Sequence, residues 1–246
     1  MAWVDTGILV TGSGKLSGTT VTPNSSSPSR SVGDVVLVFT AWDNTDTTDV
    51  NPTRLSVTDG NGNTYTRVRE FVNGQGSAAT GAHVGLFYSI VTVAGSGQVT
   101  VTCDTAQTAK AAMWRLFTFG AGSTIAIDAA SDLANDAADP GSMSSSGLSS
   151  TERLYVRATA LERATGGTWT VTSTFSTAGS IGTSGGSAVT NMDCDGEYKI
   201  ATSTGETSDP TATAVDCASI FVALGEVVAA AARVPYSTPY PQLLAH

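Results

Sequence analysis

SVTDGNGNTYTRVREF, residues 56–71, admits two readings with different consequences. Asp59, Asn61 and Asn63 place side-chain oxygens at alternate positions, and Glu70 stands twelfth counted from Asp59. That is close to the order in which an EF-hand loop offers ligands to calcium. Such a loop needs glycine at its sixth place, where this chain has Thr64, and helices on both sides. Here LSV and TYTRVREF have the composition of strands. Asp-Gly and Asn-Gly are strong hairpin signals because both dipeptides tolerate positive φ. The stretch is therefore expected to run strand, tight turn, strand: a hairpin with no essential metal.

Strand patterning continues outward from it. In QVTVTCD (98–104), Val99, Val101 and Cys103 share one face against Gln98, Thr100, Thr102 and Asp104. HVGLFYSI (83–90) sets Val84, Leu86, Tyr88 and Ile90 together, and WTVTSTF (169–175) does so for Trp169, Val171 and Phe175. Alternation of this kind marks half-buried antiparallel strands. GDVVLVFTAW (33–42) and ASIFVALGEV (218–227) are denser and read as central strands. No long helical periodicity interrupts them, so the chain is expected to be all-β.

The two halves echo each other. LFYSIVTVAG (86–95) aligns with GEYKIATSTG (196–205), placing Tyr88 on Tyr198, Ile90 on Ile200 and Gly95 on Gly205. AAMWRLFTFG (111–120) matches CASIFVALG (217–225), and GDVVLVFTA (33–41) matches TERLYVRATA (151–160). These matches imply quasi-repeats over about 30–120 and 150–227. Neither has enough strands to cover its own core, so one antiparallel β-sandwich over residues 1–228 is expected. Residues 121–149 read as a connector. Its Asp128, Asp132, Asp136 and Asp139 have the spacing of a helix face, but like charges at i, i+4 repel and Pro140 ends any helix, so a solvated linker is expected.

Composition narrows the function. Net charge is −9 with only three lysines, which argues against gripping nucleic acid. No run of about 18 apolar residues is present to span a membrane, and MAWVDTGILVTG lacks the basic start of a signal peptide. Synthesis in a host cytoplasm is expected. Cys103, Cys194 and Cys217 have no CxxC spacing and read as reduced core thiols, although one disulfide among three pairings stays open.

Catalytic and cofactor motifs are weak. Of two histidines, His246 is terminal, so a Ser-His-Asp triad would rest on His83. GTSGG (182–186) fits GxSxG around Ser184 but lies in a Gly/Ser loop, and GSGKL (12–16) has Leu where a phosphate loop needs Ser or Thr. No His/Cys cluster has zinc spacing. DNTDTTD (43–49) is rich in oxygen ligands, and Trp42 and Trp169 could stack on sugars; a solvated loop and core aromatics explain them as well. No catalytic, cofactor-binding or metal residue is assigned, and the chain is expected not to be an enzyme.

After Val228 the character changes. Pro235, Pro239 and Pro241 favour an extended arm over residues 229–246. Arg233, Tyr236, Tyr240, Leu243 and Leu244 are its candidate partner-binding residues, with Arg233 pairing an acidic neighbour and the tyrosines as anchors.

The order GDVVLVFTAW, VTDGNGNTYTRV, LFYSIV, GQVTVTCD, FTFG, then DGEYKIATSTG and SIFVALGEV, resembles β-sandwich, jelly-roll-like modules of tailed-bacteriophage virion proteins and some bacterial surface proteins. The resemblance covers about residues 30–227 and leaves the arm outside. It implies a decoration, fibre or minor tail component. Such a component binds other virion proteins (capsid or tail subunits), forms homo-oligomers and resides in the virion. It brings no catalytic residues or cofactor. A glycan-binding adhesion module contacting a host surface glycan is the alternative, and a β-sandwich carbohydrate-active enzyme is a third reading.

Overall fold

The computed structural model describes residues 3–23, 27–76, 80–120, 122–135, 139–163, 167–185, 187, 190–213 and 216–228. Seventeen strands and no α-helix occur among them. In the first half these are β1 (Val4–Gly14), β2 (Gly18–Val21), β3 (Asp34–Asp43), β4 (Leu55–Asp59), β5 (Thr66–Asn73), β6 (Ala82–Ile90), β7 (Val99–Gln107) and β8 (Lys110–Thr118). The second half has β9 (Thr124–Asn135), β10 (Met143–Ser144), β11 (Thr151–Glu162), β12 (Trp169–Thr170), β13 (Ser176–Gly182) and β14 (Asp193–Ser203). It ends with β15 (Thr207–Ser208), β16 (Thr211–Ala212) and β17 (Asp216–Val227). No described helix is long and apolar enough to cross a membrane.

Two five-stranded antiparallel sheets form the centre, ordered β1-β8-β3-β6-β5 and β13-β14-β11-β17-β9. Alternation dictates how they meet. Val35, Leu37, Phe39 and Ala41 of β3 share a core with Leu154, Val156, Ala158 and Ala160 of β11. The intervening residues of β3, Val36, Val38 and Trp42, point the opposite way into a second core. Val57, Val99, Val101 and Cys103 close that core from a third sheet, β2-β7-β4. This double burial explains why 33–42 is almost continuously apolar. β11 and β17 do the same in the second half, where Tyr155 and Phe221 pack outward with Met143 and Phe175. Two short pairs, β10-β15 and β12-β16, complete that half. Each fully buried large apolar side chain contributes about 1.5–3 kcal/mol.

The order of strands is the same in both halves. β1-β8-β3-β6-β5 becomes β9-β17-β11-β14-β13 when the second sheet is read from its other edge. Tyr88 opposes Leu37 and Thr66, and Tyr198 opposes Val156 and Ser176. In each sheet the edge strand shifts register just beyond that tyrosine, between Arg67 and Arg69 and between Thr177 and Gly179.

Three expectations need correction. Residues 56–71 turn where DGNG stands, but β4 pairs with β7 and β5 pairs with β6, so the stretch crosses between sheets instead of forming a hairpin. The turn is closed by side chains: Asp59 accepts from the Asn61 and Asn63 amides, and Gly62 supplies a φ of +82°. Residues 121–149 are no mere connector, because Thr124–Asn135 is a full strand paired with β17. TIAID carries the β-branched residues that choose a strand, and the register shift beside Asp128 breaks the four-residue spacing. Asp128 and Asp132 are each paired, with Arg153 at 2.6 Å and with Arg69, while keeping part of their surface exposed; Asp136 lies outside the described residues. Finally, WTVTSTF is strand only at Trp169–Thr170 before it turns.

Candidate functional site

One end of the sandwich gathers the polar chemistry. There β3 and β11 finish, β6, β14 and β17 begin, and the loop 43–54 crosses. Between that loop and the ends of β5 and β9 lies a cleft of about 880 Å³, lined by Thr47, Thr48, Asp49, Asn73, Gln75 and Asn135, among others. Gln75 is the one described non-glycine residue with positive φ, at 45°. Asp49 accepts from the Gly74 amide at 3.0 Å, and Asn73 donates to the Cys217 carbonyl at 3.0 Å, so the cleft wall is tied across both sheets.

Beneath the loop, Glu70 accepts from the amides of Arg54 and Leu55 at 2.8 and 3.2 Å, pairs with Arg67 at 3.1 Å and meets His83 Nε2 at 2.9 Å. Thr45 Oγ1 lies 3.0 Å from the other ring nitrogen. Hydroxyl, imidazole and carboxylate thus stand in the order a nucleophilic triad requires. Two features set this relay apart from one. Glu70 is already held by a guanidinium and two amides, and Thr45 is outside the cleft lining. Its evident work is to fasten the loop to β5 and β6, helped by the Arg54 pairs with Asp46 at 2.8 Å and Asp104 at 3.2 Å. The arginine holds Asp46 below the usual carboxylate range.

A second set of charges lies at the start of β14 and β17. Arg163 pairs with Asp193 and, at 3.0 Å, with Asp195. Burial pushes Asp195 up to about 6 despite that arginine, and raises Asp193 as well. Glu162 is fully buried and stands opposite Asp216 in the β11–β17 register. Burial first, then the Asp216 carboxyl, push Glu162 up to about 9. No group of three or more His, Cys, Asp or Glu residues arranged to hold a metal ion occurs among the described residues.

Residues singled out in the sequence are dispersed. Asn63 Oδ1 accepts from the Thr92 and Val93 amides, both at 2.8 Å, and Asn61 Oδ1 from Gly97 at 3.1 Å. Glu70 is drawn to His83, so the apparent ligand order of 59–70 does not converge. Trp42 is a core residue with no exposure, and Trp169 packs beside Leu161 and Cys217. Ser184 is exposed in its loop, away from the buried His83. The three cysteines are free and buried, and burial drives Cys217 up to about 12. Arg233, Tyr236, Tyr240, Leu243 and Leu244 lie outside the described residues. Missed altogether were Glu162, Arg163, Asp193, Asp195 and Asp216. Their signal was present as acids set inside apolar runs, in MDCDGEY (192–198) and AVDCASIF (214–221).

No protein-family model, curated protein or solved structure matches the chain.

Proposed function

We propose that the chain is a non-enzymatic structural protein of a tailed-phage virion, mounted on the tail or on the capsid exterior. It would work by assembling with other virion proteins and with copies of itself. The observation that carries this reading is how fully the recognition-grade side chains are engaged inside the molecule. Trp3, Trp42 and Trp114 are buried, and the buried arginines pair with acids of the same chain or bond its carbonyls. What such a body offers a partner is its shape, its strand edges and the arm at 229–246.

The matched strand order supports the same reading. We take the order β1-β8-β3-β6 above β2-β7-β4 as jelly-roll-like winding, repeated from β9 onward, with the two halves related by duplication. Burying two broad sheets against each other makes a rigid block suited to a particle surface. The glycan-binding alternative draws on the cleft, whose amide, carboxylate and hydroxyl lining suits sugar hydroxyls. It lacks an aromatic platform among the described lining residues.

Density for residues 3–228 at symmetric positions in purified particles is the expected result. Recovery of the chain only free of particles, together with saturable binding of a glycan by the isolated protein, would replace this reading with the adhesive one.

A further inference from the structure

We propose that Glu162 keeps a proton in the folded chain and shares it with the carboxyl of Asp216, which joins β11 to β17 at the cleft end. Geometry requires the proton. Glu162 has no solvent exposure, and its Oε1 finds no donor among the described residues. Directly opposite it in register on the neighbouring strand stands another buried carboxyl, that of Asp216. Two bare carboxylates in that position would repel in a site with little water to screen them. One carboxylic acid donating to one carboxylate satisfies both.

The remaining groups around the pair offer no substitute. From β3, Asp43 faces it as a further acid, itself raised by burial and partly offset by Lys15. From the end of β11, Arg163 is turned to Asp193 and Asp195 of β14. From the turn before β6, Gly81 gives its amide to Glu162 Oε2 at 3.2 Å. That last bond is the crossing between sheets. Gly81 has a φ of +109°, and a Cβ there would meet the Asn73 carbonyl at 2.1 Å, so the turn fits only as glycine pressed against β5.

The sign follows from the raised folded value of about 9 for Glu162. At low pH both folded and unfolded chains hold the proton, and the contribution is complete. Between the ordinary carboxyl value of about 4.3 and the folded value, only the folded state keeps it, so stability declines as pH rises through that window. One proton of difference multiplies the unfolding constant by up to about tenfold per pH unit.

The test compares the intact chain with Glu162→Gln, whose amide can donate to Asp216 and accept from Gly81 without titrating. Denaturant unfolding from about pH 5 to about pH 9 should show the wild-type constant rising at least tenfold relative to the variant. A ratio that stays flat across the range overturns the shared proton. Should the variant fail to fold, infrared spectra of the wild type decide. A protonated-carboxyl stretch surviving at about pH 8, where Asp195 is ionised, supports the shared proton, and its absence overturns it.

Discussion

Asp59 is held with its side chain fully buried, 3.2 Å from the equally buried Arg30. It also accepts from Asn63 and from the Tyr65 hydroxyl, while Arg30 lies over the Trp114 ring. Burial alone would raise its pKa, but hydrogen bonds from Asn63 and the charge of Arg30 outweigh it and leave the carboxyl below its usual range. Its stabilising effect is therefore present above the ordinary carboxyl value and is lost as acid protonates it. Asp59→Ala should destabilise the fold by about 3–5 kcal/mol, because a buried guanidinium loses its counter-charge. Urea denaturation would measure this. A chelator should leave the melting temperature of the wild type unchanged, since the oxygens of residues 59–63 accept from protein donors. A drop on chelation that vanishes in Asp59→Ala would restore the calcium reading. At this scale the sequence was half legible. DGNG announced a turn through its local φ preferences. That the flanking strands part into different sheets depends on Leu55 and Val57 finding Val99 and Val101, which no local preference records.

Alternation marked β6 and β7 correctly, while WTVTSTF alternates and yet is strand only at Trp169–Thr170. Val99, Val101 and Cys103 do share one core, and Val84 and Leu86 another. β9 was misread because its charged face was weighed without its partners. Arg69 and Arg153 come from β5 and β11, distant in sequence; the Arg69–Asp132 pair bridges the two sheets, and the Arg153–Asp128 pair lies within the second. Replacing residues 124–135 with a Gly/Ser linker of equal length should therefore unfold the second sheet and lower cooperativity. A true connector would tolerate the change with little loss. Circular dichroism during thermal melting distinguishes the two. The carboxyl pair of Glu162 and Asp216 escaped notice for a related reason: the two are cross-strand neighbours only once β11 and β17 are aligned.

On the scale of the whole molecule, the main core belongs to both halves at once, since one face of it is β3, β6 and β8 and the other β11, β14 and β17. The fold class was legible because two-residue periodicity survives in strands such as β4 and β7; the layering was not, because a doubly buried strand such as β3 shows no alternation to assign. The arm stands apart from this core in composition. Its prolines lower the entropy cost of ordering, and Tyr236 and Tyr240 can bury large area with few rotors. The proposed assembly role places its work on a neighbour. The decisive measurement compares residues 1–228 with the full chain, for melting temperature and for oligomer mass or particle attachment. The account predicts an unchanged melting temperature with assembly lost. A truncated chain that still assembles normally, or one that no longer folds, would contradict it.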